Sequence, residues 1–183
     1  YTSAGTATGG EFQVNSYTSS FQSTAAIGAG GDGSFVVAWE SMGSGEGDNS
    51  ETSVHAQRFS AAGVAQGSEF QVNAYSTNYQ WLPAVAVDGE GDFVVVWQSM
   101  GASSGDTAGY SLRAQRYSAA GTALGDPFQV NSYTTSDQTA SAVAVDADGD
   151  FVVVWKSTGS SFGDNSLGSI QGQRFRVTGD LQG

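Results

Sequence analysis

The chain consists of one unit repeated three times at a step of 58 residues, and this periodicity constrains its fold more than any other feature. The run Phe-Gln-Val-Asn begins at Phe12, Phe70 and Phe128, and the run Phe-Val-Val-(Ala or Val)-Trp begins at Phe35, Phe93 and Phe151. The copies align without a gap as residues 10–67, 68–125 and 126–183. Such a period predicts a repeat architecture, in which each unit buries its apolar face against its neighbours. We therefore treat residues 1–183 as a single repeat domain.

Each copy contains four strand-like segments, which in the second copy are residues 83–87, 93–98, 111–117 and 127–130. The second segment is apolar almost throughout, as is typical of a strand buried on both faces. No segment places apolar residues at i, i+3, i+4 and i+7, so no helix is predicted. Four antiparallel strands per repeated unit predict an all-β fold, namely three four-stranded blades of a β-propeller. A row of small β-sandwiches or solenoid-like units is the alternative.

Three blades are fewer than the roughly 4 to 8 that close a propeller ring. The chain is therefore expected to belong to a larger or oligomeric ring. It is either a piece of a longer repeat array or a protomer that completes its ring by assembly, for example as a six-bladed homodimer. Residues 1–9 share the repeat phase of residues 175–183, and this overlap favours the longer array.

The charge balance narrows the classes of partner. Six Lys and Arg against 18 Asp and Glu give a net charge of −12, which repels the phosphates of nucleic acids. No apolar run approaches the roughly 18 residues of a membrane span, so no membrane insertion is expected, and residues 1–5 lack the features of a signal peptide. The chain has no cysteine, which excludes disulfides and thiol catalysis. An acidic, lysine-poor and Gly-rich composition favours an extracellular protein.

The motifs themselves resemble a known class of repeat. Phe-Gln-Val-Asn, Asp-Gly-Asp-Phe-Val-Val-Val-Trp, Gln-Arg-(Phe or Tyr) and Ala-Ala-Gly together resemble tandem repeats of large secreted bacterial proteins. The resemblance covers the whole chain and implies an extracellular, non-enzymatic module, often a neighbour of cadherin-like, calcium-binding or adhesion modules. It brings no catalytic residues. The first copy departs from the pattern, because residues 29–34 contain a single acidic residue, Asp32.

Two acidic turns are the candidate metal sites. Each places three carboxylates at alternate positions, as in the first half of a calcium loop: Asp88, Glu90 and Asp92 in the second copy, and Asp146, Asp148 and Asp150 in the third. The full EF-hand pattern is absent, because in the third copy Phe151 and Ser157 stand at positions 6 and 12, where it needs Gly and Glu. Calcium is the cofactor that these turns would hold. The alternative is that the Asp and Gly residues only shape the hairpin turns.

Candidate ligand-binding residues lie in the long loops and at one unique tryptophan. The loop residues are Asp48, Asn49, Asp106, Asp164 and Asn165, whose oxygens could bind a sugar hydroxyl or a cation, or could form Asx-turns. Trp81 has Ser23 and Thr139 as its counterparts, so it is the aromatic residue that could stack on a sugar or fill an assembly contact.

Three further residue sets receive structural assignments. The tryptophans that end the apolar strand are predicted to pack between blades rather than to bind sugars; they are Trp39, Trp97 and Trp155. The repeated arginines are predicted to hydrogen bond carboxylates or carbonyl groups of the next blade; they are Arg58, Arg116 and Arg174. His55 has Arg113 and Gln171 as counterparts, and this variability predicts an exposed position.

The sequence supports three functional hypotheses. The first is a non-enzymatic extracellular propeller used for binding, adhesion or assembly, with glycan or protein ligands bound multivalently. The second is a glycan-active enzyme with its site at the propeller mouth, although the near identity of the copies argues against an asymmetric catalytic site. The third is a purely structural repeat of a surface or filament protein.

Overall fold

A computed structural model describes residues 4–6, 9–43, 51–101, 106, 108–159 and 168–182, and the described residues form eleven strands and no helix. The first sheet holds β1 (Gln22–Ala29), β2 (Phe35–Met42), β3 (Thr52–Phe59) and, from the start of the second copy, β4 (Phe70–Gln71). The second holds β5 (Gln80–Val87), β6 (Phe93–Met100), β7 (Tyr110–Tyr117) and β8 (Phe128–Gln129). The third holds β9 (Gln138–Val145), β10 (Phe151–Ser157) and β11 (Ser169–Phe175). The predicted all-β fold is confirmed.

The strands form one antiparallel sheet per copy, with sequence neighbours paired. The first sheet has the order β1-β2-β3-β4 and the second the order β5-β6-β7-β8. The third sheet contains β9, β10 and β11, and it has no fourth strand among the described residues. The fourth strands are two residues long, shorter than the 127–130 segment that the sequence predicted.

The sheets stack face to face, as blades do, because the second strand of each copy is apolar on both faces. Val36, Ala38, Val54 and Ala56 of the first sheet share one buried cluster with second-sheet residues around Trp97. On the other face of the second sheet, a further cluster joins it to the third sheet; it contains Val94, Val96, Leu112, Ala114, Phe151, Val153 and Trp155. Packing between sheets therefore supplies the core that no single sheet encloses. Trp97 and Trp155 pack between sheets as predicted, at 2% and 6% exposure, whereas Trp39, at 3% exposure, is buried with Val37 and Phe59 of its own sheet.

The first strand of each copy lies innermost, and it is irregular at the same position in every copy. The backbone φ angles are 47° at Thr24, 47° at Leu82 and 53° at Ala140, in the left-handed region that L-residues seldom adopt. The strand register shifts beside each of these residues. The bulge brings the backbone N–H of Leu82 to Oε1 of Glu40 in the first sheet, at 2.8 Å. The irregularity thus forms part of the contact between neighbouring sheets.

Arginines bridge adjacent sheets, as the sequence predicted. Nη1 of Arg58 in β3 donates a hydrogen bond to the carbonyl oxygen of Ala119 in the second copy. Nη1 of Arg116 in β7 donates in the same way to the carbonyl oxygen of Val177 in the third copy. Burial lowers the pKa of the Arg116 guanidinium, while nearby Asp180 and Asp92 partly offset this effect.

The prediction that His55 is exposed is wrong. His55 lies in β3 with 1% of its surface exposed. Its Nε2 is 3.0 Å from Oγ of Ser53, and its Nδ1 is 3.3 Å from Oε1 of Glu69. Glu69 has Glu11 and Pro127 as its counterparts, so the second sheet, in which Arg113 takes the place of His55, lacks this carboxylate.

Candidate functional site

The two ends of each sheet differ in chemistry. We call the end where the innermost strand begins and the second strand ends the loop rim; in the second sheet it carries Gln80 and Met100. The opposite end, the turn rim, carries the acidic turn between Val87 and Phe93. In the second sheet, the candidate ligand residues Trp81 and Asp106 therefore lie at the opposite end from the acidic turn with Asp88, Glu90 and Asp92.

An aromatic cluster occupies the loop rim of the second sheet. The indole of Trp81 contacts the rings of Tyr79 and Tyr110, with centroids 5.4 Å and 5.2 Å apart. All three side chains are partly exposed. Tyr79 and Trp81 come from the start of β5, whereas Tyr110 begins β7, two strands away in the same sheet. Ring pairs at these separations are favourable, so the cluster is a preformed apolar surface at the rim.

Two carboxylates flank this aromatic cluster. Glu51 accepts a hydrogen bond from the Tyr79 phenol, and this bond together with the negative charge of Glu51 raises the pKa of Tyr79. Oδ1 of Asp137, which precedes β9 of the third sheet, accepts a hydrogen bond of 3.1 Å from the backbone N–H of Tyr110. The rim therefore combines aromatic rings of the second copy with carboxylates of the first and third copies.

The backbone at Glu51 is held in a conformation that favours glycine. Its φ is 121°, and its counterpart in the second copy is Gly109, with a φ of 86°. A non-glycine residue in such a region costs on the order of 1–3 kcal/mol, and such residues concentrate at functional sites. The strain therefore marks Glu51 as a residue to test for function.

The cluster is specific to the second copy. The counterparts of Tyr79 are Phe21 and Asp137, those of Trp81 are Ser23 and Thr139, and those of Tyr110 are Thr52 and Gly168. Sequence analysis identified Trp81 from this difference between copies. It missed Tyr79, Tyr110 and Glu51, although the same comparison of copies would have singled out both tyrosines.

Among the predicted loop ligands, one lies in the described part of the chain. Asp48, Asn49, Asp164 and Asn165 fall outside the described residues. Asp106 is 1% exposed. Its Oδ1 accepts the N–H of Ala108 at 3.0 Å, and its Oδ2 accepts Nδ2 of Asn131 at 3.0 Å. Both oxygens are thus engaged within the chain, in the Asx-turn arrangement that was the alternative to ligand binding.

The acidic turns are held by their own first carboxylates. Oδ1 of Asp88 accepts the backbone N–H groups of Glu90 and Asp92, each at 2.9 Å. Oδ1 of Asp146 accepts those of Asp148 and Asp150, each at 3.0 Å. In the described ranges, no three His, Asp or Glu side chains come together in a way that could hold a metal ion.

The last carboxylate of each acidic turn reaches the neighbouring turn of its own sheet. Oδ1 of Asp92 accepts the N–H of Ala119 at 2.7 Å, and Oδ1 of Asp150 accepts the N–H of Val177 at 2.8 Å. These bonds join two turns at the same rim. The geometry accounts for Asp88, Asp92, Asp146 and Asp150 as turn-forming residues, while Glu90 and Asp148 are exposed.

Comparisons with known proteins define the fold. No family model and no curated protein matches the chain. An endo-arabinase from Bacteroides thetaiotaomicron matches 91% of this chain with a TM-score of 0.54 and 11% identity, and the match covers 60% of the arabinase. A thermostable family-43 glycoside hydrolase matches 88% of the chain with a TM-score of 0.51 and 15% identity, over 58% of its own length.

These likenesses support the β-propeller architecture and, at such low identity, the fold alone. The chain spans about three fifths of the length of either enzyme. Within the residues that the structure covers, no helix is long and apolar enough to cross a bilayer.

Proposed function

We propose that the chain is a β-propeller module that binds neutral glycans at the loop rim of its second sheet. The observation that carries this proposal is the cluster of Tyr79, Trp81 and Tyr110, flanked by the carboxylates of Glu51 and Asp137. No other copy offers aromatic side chains at all three positions.

The chemistry of the cluster suits a sugar. The C–H faces of a pyranose or furanose pack on aromatic rings, while its hydroxyl groups donate hydrogen bonds to carboxylate oxygens. A net charge of −12 disfavours phosphorylated or sulfated ligands, whereas a neutral sugar is not repelled. Few polar groups beside a largely apolar surface are typical of small-molecule sites.

A glycan-active enzyme is the second candidate, and the structural neighbours favour it over a purely non-enzymatic module. Both neighbours are named as enzymes that act on glycans. Glycoside hydrolysis needs two carboxyl groups about 5–9.5 Å apart on either side of the scissile bond. Glu51 and Asp137 are the described carboxylates beside the aromatic cluster, so they are the pair to test.

Binding is tested by calorimetry against a panel of neutral oligosaccharides, including arabinose oligomers. Trp81→Ala is expected to weaken binding at least tenfold, which corresponds to about 1.4 kcal/mol, and Trp81→Phe should retain part of the affinity. Phe21→Ala is the matched control, because Phe21 is the first-copy counterpart of Tyr79 and is 67% exposed. Equal affinity of the Trp81→Ala variant and the wild type would exclude this site.

Hydrolysis is tested by measuring the release of reducing ends from the glycan that binds. If the chain is catalytic, Glu51→Gln and Asp137→Asn should each lower the rate at least about 100-fold while Asp126→Asn, an exposed change elsewhere, does not. Binding without release of product would exclude the enzymatic hypothesis and keep the binding module as the function.

A further inference from the structure

The third sheet leaves exposed the apolar face that packs on a neighbouring sheet elsewhere in the chain, and the first sheet leaves part of its outer apolar face exposed. On the third sheet Val152, Val154 and Ile170 are 36%, 41% and 77% exposed. Their second-copy counterparts Val94, Val96 and Leu112 are 2%, 0% and 0% exposed, because the third sheet covers them. On the first sheet Ile27 is 64% exposed, whereas its counterpart Val85 is 8% exposed beneath the first sheet. Val37, Trp39 and Phe59 on the same face are buried, with Val14 packed against them, so the exposed part of this face lies around Ile27.

These two open faces are the two halves of one junction. The chain already makes that junction twice, between the first and second sheets and between the second and third. A face equivalent to that of Val152 and Val154 packs each time against a face equivalent to that of Ile27. The open face of the third sheet is therefore complementary in shape and polarity to the open face of the first sheet.

The residues that would complete the third sheet are already positioned on the first. Phe70 of β4 pairs with β3 of the first sheet through its backbone, and its ring contacts that of Tyr117 in the second sheet, tilted, with centroids 5.2 Å apart. Phe12 has the same motif position, and it contacts the ring of Phe59 at 5.4 Å, as Phe128 contacts Phe175 at 5.4 Å. Phe12 thus packs on the first sheet as the phenylalanine of a fourth strand packs on the neighbouring sheet. Residues 12–15, however, pair with no strand in the described chain.

Asn15 makes one of the two side-chain hydrogen bonds that its counterparts Asn73 and Asn131 make. Oδ1 of Asn73 accepts the backbone N–H of Val54 at 2.7 Å, and Oδ1 of Asn131 accepts that of Leu112 at 2.8 Å. Each asparagine also donates through Nδ2 to the carbonyl two residues on, and Asn15 makes this bond to Tyr17 at 2.8 Å. Its Oδ1, however, accepts no hydrogen bond from the described residues. The equivalent donor is the N–H of Ile170 in β11, at the unpaired edge of the third sheet.

Arg174, in the third sheet, lacks the inter-sheet hydrogen bond that its counterparts make. Arg58 and Arg116 donate to carbonyls of the following copy, at Ala119 and Val177. Arg174 is exposed, and its guanidinium makes no hydrogen bond to the described residues. By the same 58-residue step, its acceptor would be the carbonyl of Ala61 in a first copy.

We propose that two copies of this chain close a six-bladed ring, in which residues 12–15 of each copy form the fourth strand of the other copy's third sheet. The register follows from the pairs Phe70↔Ala56 and Gln71↔His55, and it places Phe12 opposite Gly172 and Gln13 opposite Gln171. Six blades lie within the range of about 4 to 8 that closes a propeller. The contact is head-to-tail, so it ends either in a closed ring or in an open filament, and two copies suffice for the ring. Residues 1–9 of one copy share the repeat phase of residues 175–183 of the other, so one of these two segments must lie outside the blade at each junction of the ring. This assembly is independent of the proposed glycan site.

The test is the mass of the 183-residue chain in solution, measured by sedimentation and light scattering over a range of concentrations. A ring has twice the 18.8 kDa of one chain, about 38 kDa. Ile170→Asp places a charge on the open face, so it should give the single-chain mass with the strand content unchanged. Val64→Asp is the matched control, because Val64 is 60% exposed in a turn whose third-copy counterpart is Asp180. It should remain dimeric.

A cysteine pair tests the strand exchange itself, since the chain has no cysteine of its own. The double variant Gln13→Cys/Gln171→Cys should oxidise to a covalent dimer on a non-reducing gel, and Gln13→Cys alone should not. A chain that stays monomeric at every concentration overturns the proposal. So does a dimer that Ile170→Asp leaves intact, a disulfide formed within one chain, or a ladder of species larger than the dimer.

Discussion

Nε1 of Trp97 donates a hydrogen bond of 3.1 Å to Oε1 of Gln80, and both side chains are almost fully buried. The same bond joins Trp39 to Gln22 at 2.8 Å. In the third copy Oε1 of Gln138 accepts from Ser157 instead, and Nε1 of Trp155 has no hydrogen-bond partner among the described residues. The bond locks the second strand of a blade to the start of its innermost strand, so it fixes the backbone from which Trp81 projects.

Gln80→Leu should therefore destabilise the chain by about 1–3 kcal/mol, since it leaves the buried indole N–H of Trp97 without an acceptor. Urea unfolding followed by tryptophan fluorescence measures the change. Gln22→Leu is the comparison, because Gln22 is only partly buried and water can replace the lost acceptor. Equal losses of unfolding free energy at the two positions would show that burial of the hydrogen bond does not set its contribution to stability.

Arg116→Ala should lower the free energy of unfolding by about 1 kcal/mol, because it removes a charge-assisted hydrogen bond from the second sheet to the carbonyl of Val177. Arg176→Ala removes the same charge from an exposed side chain with no hydrogen bond to described residues, and it should change stability by less than about 0.5 kcal/mol. Denaturant midpoints at matched protein concentration compare the two variants. If both lose the same amount, net charge rather than the inter-sheet bond is responsible.

The repeat and the apolar strand were sufficient to predict the architecture from sequence. Residues 93–97 are apolar without interruption, and such a strand needs a sheet on each side, which only stacked copies provide. The alignment of copies also identified Arg58 and Arg116 as bridges between blades. These predictions succeeded because each rests on a pattern that recurs three times.

Features that occur once were harder to predict. His55 differs from its counterparts, and we took that difference as a sign of exposure; the structure buries it beside Glu69, fourteen residues further along the chain. Tyr110 reaches Trp81 across a sheet, from a strand that begins 29 residues later. Contacts between different strand ends depend on register and on the inner-strand bulge, neither of which composition or periodicity reveals.

The free energy of unfolding should fall at alkaline pH because of the buried phenol of Tyr117. Burial raises its pKa above the ordinary value of 10.0, and its hydroxyl donates to the carbonyl of Val72 at 3.3 Å. Above pH 10 the unfolded chain loses this proton while the folded chain keeps it, so stability falls as pH rises, by up to about 1.4 kcal/mol per pH unit. Below pH 10 the group contributes no pH dependence.

Tyr117→Phe should flatten this slope between pH 10 and 11.5, as measured by urea unfolding at each pH. The fold should tolerate the change, because phenylalanine occupies the same position at Phe59 and Phe175. Tyr133→Phe, a change at a partly exposed tyrosine of another repeat position, should leave the slope unchanged. An identical alkaline slope in the Tyr117→Phe variant would contradict this account.

Calcium should leave the melting temperature unchanged at millimolar concentration. The carboxylates of Asp88 and Asp146 already accept two backbone N–H groups each through Oδ1, and the described acidic residues form no three-ligand group. Differential scanning calorimetry with Ca²⁺ and with Mg²⁺ tests this, because a cation that binds only the folded chain raises its melting temperature. A rise with Ca²⁺ that Asp146→Asn abolishes would establish the turn as a calcium site.

Glu51→Gly should separate stability from function. The backbone at Glu51 has a φ of 121°, which glycine adopts without strain, so the substitution should raise the free energy of unfolding or leave it unchanged. It also removes the carboxylate beside Tyr79, so glycan affinity should fall at least about threefold and the pKa of Tyr79 should move back towards its ordinary value of 10.0. Ultraviolet titration of the tyrosines, urea unfolding and calorimetry measure the three effects on one variant.

Glu51→Gln is the control that keeps the strained backbone and the side-chain length while removing the charge, so it should lose affinity without gaining stability. A variant pair in which glycine loses stability and glutamine does not would mean that the strained conformation is favourable, and that Glu51 holds the rim together rather than serving a ligand.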